Sequence, residues 1–183
     1  MASAVQQLTG AYSADRAHSS FQVSLRHMGV GSFRTGFDDV EARLESTADG
    51  YRLVGRARAD SIAITEPPEF RAHVVESGEF LDAGNHPYLS FESAKLQLHD
   101  DGSVELEGTL TIKGLERPIH ATGTYRPPIE DIYGNQRAAI DLVSRIDRRD
   151  WEMNYQGRLP NGDDVLSWDV DISVHLELVT DAA

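Results

Sequence analysis

Large apolar residues alternate with polar ones along most of this sequence. The longest run covers residues 166–178, where seven apolar positions alternate with six polar ones. Because successive side chains of a strand point to opposite faces of a sheet, each such segment buries one face and exposes the other. Parallel strands that are buried on both faces read as unbroken apolar runs, so the alternation predicts an antiparallel sheet.

Short turn sequences separate the alternating segments. Asp49-Gly50, Asp101-Gly102 and Asn161-Gly162 supply the positive φ that tight hairpins require. The intervening segments predict strands near residues 10–15, 19–27, 31–46, 51–61, 88–98, 103–113, 117–126, 137–147 and 165–179. Long antiparallel strands in meander order are typical of a closed barrel, which leaves no exposed sheet edge.

The stretch from Pro67 to His86 breaks the alternation. Pro67 and Pro68 form a suitable helix start, since proline is favoured at the first helical position. Phe70, Val74 and Val75 follow with helical spacing. We therefore predict an all-β fold, an extended antiparallel β-barrel of about eight to ten strands with one short helix near residues 68–78.

The composition excludes several classes of partner. The 183 residues include 17 Lys+Arg and 30 Asp+Glu, for a net charge of −13, and no Cys. Phosphates are bound by clustered Lys and Arg, so this charge argues against a nucleic acid or an anionic membrane surface. Without Cys there are no disulfides, thiolate nucleophiles or thiolate zinc sites. No apolar run is long enough for a transmembrane helix, so stable membrane insertion is not expected.

Length and the first residues predict domain number and compartment. A chain of this length is expected to form a single domain. Residues 1–9 contain neither a basic segment nor an apolar run of signal-peptide length. We expect a cytoplasmic protein, or a periplasmic or secreted one if a leader has been removed.

No catalytic or metal-binding motif stands out. The seven histidines do not pair at strand or helical spacing, and no Cys supplements them, so no metal site is expected. The sequence has no Gly-x-Ser-x-Gly elbow. Gly29-Val30-Gly31 lacks the remainder of a phosphate-binding loop. We therefore predict neither catalytic residues nor a cofactor.

A barrel of eight strands is either filled with side chains or wide enough for one small ligand. Nine residues, most of them at inward positions of their strands, are the candidates for a ligand-binding lining: Phe21, Val23, Leu25, His27, Phe33, Phe37, Phe91, Trp168 and Val170. Their alternative role is ordinary core packing. His27 continues an apolar stripe, so it either makes a hydrogen bond inside the core or faces the polar head of a ligand.

Several short motifs follow one another in a recognisable order. The main one is Gly108-Thr109-Leu110-Thr111-Ile112-Lys113-Gly114 with Pro118 after it, preceded by Tyr12 to Asp15, His18-Ser19 and Gly36-Phe37, and followed by Arg148-Arg149-Asp150-Trp151. Over residues 10–179 these motifs resemble the YceI-like family, the lipocalin-like, polyisoprenoid-binding proteins of bacteria. Glu152 departs from the family pattern, which usually has Gly there.

The resemblance implies one YceI-like β-barrel domain over residues 1–183, with its core at about 10–179 and a lipocalin-like apolar channel. Our leading hypothesis is a non-enzymatic protein that binds, transports or sequesters a long apolar amphiphile: a polyisoprenoid, an isoprenoid quinone or a fatty-acid-like lipid. The alternative is a cofactor-independent cyclase, isomerase or dehydratase that uses His18, His27 or an inward Tyr as acid or base. A third interpretation is a solid barrel without a cavity. The sequence is also compatible with a homodimer through one barrel flank.

Overall fold

The computed structural model describes residues 8–181, and within them ten strands form one antiparallel sheet. The strands are β1 (Ala11–Ala14), β2 (Ser20–His27), β3 (Gly31–Phe37), β4 (Val40–Thr47), β5 (Gly50–Arg58), β6 (Tyr88–Leu98), β7 (Ser103–Ile112), β8 (Leu115–Glu130), β9 (Gln136–Asp147) and β10 (Asp169–Thr180). The described range also has one α-helix, α1 (Pro68–Glu76), and two short 3₁₀ helices, Ala59–Ser61 and Arg148–Trp151. The predicted all-β class is confirmed. The expectation about a leader concerns residues 1–9, of which 1–7 lie outside the described range.

Eight of the described strands close into a barrel. Strands β4 to β10 follow one another in meander order, and β1 closes the ring between β10 and β4. Tyr12 of β1 pairs with Thr180 on one side and with Leu44 on the other. Strand β2 lies on the same edge of β10 as β1, with Val23 opposite Ile172, and carries β3 with it as a hairpin.

Several predicted strands have different bounds in the structure. The strand predicted at 51–61 ends at Arg58, and the strand predicted at 117–126 runs from Leu115 to Glu130. The segment 31–46 is divided into β3 and β4, because the backbone N–H groups of Asp38 and Asp39 donate to the carbonyl and the hydroxyl of Ser61 instead of a strand. The last strand begins at Asp169 rather than at 165, because Val165 donates its N–H to the loop residue Gly157.

The helix begins at Pro68 as predicted and ends at Glu76, slightly earlier than expected. The N–H of Ser77 donates to the carbonyl of His73 and completes the last turn. Val74 and Val75 are buried, so α1 presents these two side chains to one end of the barrel. None of the described helices is long and apolar enough to cross a membrane.

Two apolar clusters line the interior of the barrel and follow one another along β10. The helix-side cluster is formed by Phe37, Ala57, Ala59, Ile62, Ile64, Val74, Val75, Leu81, Leu89, Leu110, Ile112, Ile146, Trp151, Met153, Val170 and Ile172. The closed-end cluster is formed by Leu8, Tyr12, Leu44, Leu53, Leu96, Val104, Leu106, Ala121, Tyr125, Ala138, Ile140, Leu142, Leu176 and Leu178. Strand β10 contributes to both, because its inward residues continue from one cluster into the next.

Candidate ligand-binding site

An apolar cavity of about 110 Å³ lies inside the barrel, where the two clusters meet. Its lining combines large side chains of β2, β6 and β7, including Phe21, Phe91 and Leu106, with large side chains of β9 and β10. The space exists because small residues stand among them. Ala42, Gly55 and Ala57 lie on β4 and β5, and Ala121 lies on β8, across the barrel from them. The interpretation as a solid barrel does not match this interior.

Two charged residues also border the cavity, but their side chains do not face it. Glu41 and Arg56 are exposed, and Arg56 Nη2 lies 2.6 Å from a carboxylate oxygen of Glu41 on the outside of the barrel. This follows from the strand alternation, since their neighbours Ala42, Gly55 and Ala57 point inward. The cavity can therefore accept an apolar group and offers little to a charged one.

The nine residues predicted to line a pocket fall into three groups. Phe21 and Phe91 border the cavity. Phe37 and Val170 are buried in the helix-side cluster, and Val23, Leu25 and Phe33 are partly buried against it. His27 and Trp168 form the third group, which neither borders the cavity nor packs in the helix-side cluster.

His27 is exposed at the end of β2, so the interior position expected for it is wrong. Its backbone forms an isolated bridge with Leu166, beyond the last residue of the apolar stripe, Leu25. His18, the other histidine considered as an acid or base, lies outside the barrel, where its Nδ1 is 3.0 Å from Asp15. The structure therefore places neither histidine against the cavity.

Trp168 lies just before β10 and supports a buried arginine. The guanidinium carbon of Arg148 is 4.2 Å from the centre of the Trp168 ring, and that of Arg149 is 5.0 Å away. Arg148 is only 2% exposed, and it donates to the carbonyls of Ser167 and Met153. Burial lowers the pKa of Arg148. This contact anchors the loop before β10 and lies apart from the cavity lining.

Several lining residues were missed by the sequence analysis. Gly55, Ala57 and Ala121 carry little hydrophobic signal, and Leu106 was expected only as part of an alternating segment. Strand alternation does place Ala121 on the inner face, because it pairs with Leu106 on the neighbouring strand. What the pattern does not reveal is that these small residues face each other across one level of the barrel.

The far end of the barrel is closed by well-buried side chains. Ile140 and Leu178 are fully buried, and Tyr12 and Tyr125 are 3% and 5% exposed. Burial raises the pKa of both tyrosines, with a further contribution from the nearby Tyr51. These tyrosines belong to the closed-end cluster and do not border the cavity.

One group of described residues has the spacing of a metal site. Ligand atoms of Asp15, His18 and Glu177 lie within 4.8 Å of one another. Arg137 already supplies a cation there, since its guanidinium donates to Asp15 at 2.9 Å and to Glu177 at 2.5 Å. These contacts join the residue that follows β1 to β9 and β10 at the closed end, so their role is structural.

A larger groove of about 970 Å³ crosses the outer face of β4 to β7. Two of its carboxylates are neutralised by arginines. Glu41 lies 2.8 Å from Arg16, and Glu92 lies 2.7 Å from Arg52. Exposed pairs of this kind contribute little to stability, and the internal apolar cavity is the better candidate site for an apolar ligand.

The YceI-like domain model matches residues 12–178. The chain belongs to this family. Among curated relatives of this YceI-like protein, a UPF0312 protein of Vibrio parahaemolyticus is 26% identical over 165 residues, which cover 88% of this chain and 82% of the relative. A UPF0312 protein of Staphylococcus aureus is 24% identical over 169 residues, which cover 89% and 94%.

Solved structures share the fold of this YceI-like barrel. BcnA of Burkholderia cenocepacia superposes with a TM-score of 0.72 at 18% identity, covering 92% of this chain and 99% of that one. A polyisoprenoid binding domain from Saccharophagus degradans superposes with a TM-score of 0.70 at 12% identity, covering 95% and 100%. At these identities the likeness establishes the barrel architecture, and the ligand is a separate question.

Proposed function

We propose that this YceI-like protein binds a long apolar amphiphile, such as a polyisoprenoid, an isoprenoid quinone or a fatty-acid-like lipid, and carries or sequesters it without chemical change. The observation that carries the proposal is the apolar cavity at the junction of the two clusters. The polyisoprenoid binding domain of Saccharophagus degradans, which has the same fold, supports it.

The size of the cavity determines how such a ligand would be held. An engineered apolar cavity of about 150 Å³ binds benzene, so 110 Å³ holds only the end of an apolar tail. The rest of the tail would lie along the helix-side cluster, where Phe21, Phe33 and Phe70 are only partly buried. Each methylene removed from water contributes about 0.8 kcal/mol, so a tail can provide most of the affinity.

The surroundings of the cavity favour binding over catalysis. Of the titratable groups considered as acid or base, His18 and His27 lie outside it. None of the tyrosines in the described part of the chain borders it either. A general acid or base must lie within hydrogen-bond reach of the reacting atom. Glu41 and Arg56, the charged residues that border the cavity, are paired with each other on the outer surface.

The test compares two Ala→Leu variants on the same barrel. Ala121→Leu fills the cavity, whereas Ala94→Leu adds the same side chain at an exposed position of β6. We expect prenyl and acyl ligands, measured by native mass spectrometry and by displacement of a fluorescent fatty acid, to bind Ala121→Leu about tenfold more weakly or worse. Ala94→Leu should bind like the wild type. Failure of the wild type to bind any apolar chain, or equal binding by both variants, would contradict the proposal.

A further inference from the structure

Phe91 lies at the boundary between the two clusters. Among the described residues, Phe91 and Val174 are the partly buried side chains that pack against both the helix-side and the closed-end cluster. Phe91 also borders the cavity. Phe91 therefore stands at the level where the cavity reaches the closed-end cluster, whose members Leu53 and Leu106 also border the cavity.

The ring of Phe91 covers a glycine. A Cβ added to Gly108 would lie 2.4 Å from Cζ of Phe91, so the ring covers the α-carbon of this glycine. The two cross-strand partners of Phe91 are Leu110 on β7 and Gly55 on β5, and Gly55 also lacks a side chain. The ring therefore occupies space on the inner face that Gly55 and Gly108 leave open.

Beyond Phe91 the barrel has no comparable room. Val104 and Leu44 are each 1% exposed, and Leu178 is fully buried. They belong to one packed cluster with Ile140, which is fully buried. A tail that arrives from the helix side thus meets Phe91 first and a close-packed floor next.

We propose that Phe91 is the specificity-determining residue that sets how far an apolar tail reaches into the barrel, and hence the tail length that is bound best. This inference rests on the proposed function, because it assigns the tail to the cavity. Affinity should rise with tail length while added carbons fill space on the helix side of Phe91. It should then level off, because further carbons remain outside the protein.

The experiment measures the affinity of prenyl alcohols with one, two, three and four isoprene units. The readout is displacement of a fluorescent polyene fatty acid, with native mass spectrometry of the same alcohols as a direct count of bound ligand. The proteins are the wild type, Phe91→Ala, Phe91→Leu and Phe80→Ala. Phe80 is the matched control, since its ring is partly buried against the helix-side cluster, 5.0 Å from the ring of Tyr155, but does not border the cavity.

In Phe91→Ala we expect the length at which affinity levels off to increase by about one isoprene unit, with a gain of about tenfold or more for the first alcohol beyond the wild-type limit. Phe91→Leu should shift the limit in the same direction by less, and it serves as the test if Phe91→Ala does not fold by circular dichroism. Phe80→Ala should keep the wild-type limit. An unchanged limit in the Phe91 variants, or an equal shift in Phe80→Ala, would overturn the role of Phe91 and leave the proposed function intact. A wild type that binds no alcohol and no fatty acid would instead overturn the proposed function itself.

Discussion

The ring of Phe91 lies against the α-carbon of Gly108 on the inner face of the barrel. A Cβ at position 108 would stand 2.4 Å from Cζ of Phe91 and 2.5 Å from the carbonyl oxygen of Glu92. One of these neighbours is backbone, so it cannot move aside without disturbing the pairing of β6 and β7. The Phe91 ring can therefore occupy this position only because residue 108 is a glycine, and together the two residues determine the shape of the interior beside the cavity.

Gly108→Ala should destabilise the protein by about 1–3 kcal/mol, because the added methyl overpacks the space between the Phe91 ring and the Glu92 carbonyl. Chemical denaturation measures the change in the free energy of unfolding. Gly31→Ala is the control, since a Cβ at this strand glycine meets no atom within 4 Å. Its stability should remain within about 0.5 kcal/mol of the wild type. Equal stability of the two variants would contradict the close packing of the Phe91 ring and the Glu92 carbonyl over Gly108.

Arg148→Met should destabilise the protein by about 2–4 kcal/mol, because the carbonyls of Ser167 and Met153 lose buried donors. Arg145→Met is the matched control. The Arg145 side chain is 65% exposed in its ion pair with Asp171, so its loss should cost at most about 1 kcal/mol. Thermal unfolding of both variants under the same conditions checks the difference. A smaller loss for Arg148→Met than for Arg145→Met would contradict a structural role for the buried guanidinium.

The stability conferred by Asp15 should disappear in acid. Hydrogen bonds from Arg137 and His18 lower the pKa of Asp15 from 3.8 to about 2. The ionised carboxylate therefore stabilises the folded state above about pH 4, and this contribution is lost as the pH falls towards 2. Because solvent reaches this carboxylate, we expect the contribution to be about 1 kcal/mol.

The measurement is the difference in unfolding free energy between the wild type and Asp15→Asn at a series of pH values. We expect a constant difference above about pH 4 that closes between pH 4 and pH 2. Asp49→Asn, at an exposed position of the β4–β5 turn, is the control and should show a smaller change over this range. A difference that does not vary with pH would rule out Asp15 as the titrating group.

Alkaline conditions should destabilise the closed end of the barrel. Burial raises the pKa of Tyr12 above its ordinary value of 10.0. A raised pKa in the folded state means that stability is present below pH 10 and falls as the pH rises above it. Tyr12→Phe should therefore unfold at a higher pH than the wild type, as followed by circular dichroism. Tyr133→Phe, which changes an exposed tyrosine, should leave that pH unchanged.

Much of the barrel could be predicted because strand alternation is a local property. The inward positions of β10, from Val170 to Leu178, follow directly from the run of apolar residues at every second position. The division of the predicted strand 31–46 could not be predicted, because it depends on hydrogen bonds from Asp38 and Asp39 to Ser61, a residue distant in sequence. His27 is a similar case. The alternation predicts which face of the strand its side chain occupies, but it does not predict that the buried core ends before this residue.

The sequence by itself determined the antiparallel barrel, the position of α1 and the family, because each depends on residue types at fixed spacing. Only the tertiary structure decided where the cavity lies. Ala42, Gly55 and Ala121 leave space only when three strands bring them to one level of the barrel. In the sequence, Phe91 cannot be distinguished from the other aromatic residues at inward positions. Its place above Gly108, at the junction of the two clusters, arises from the pairing register of β6 and β7. Local patterns determine which face a side chain occupies, whereas the packing of distant strands determines whether that face is filled.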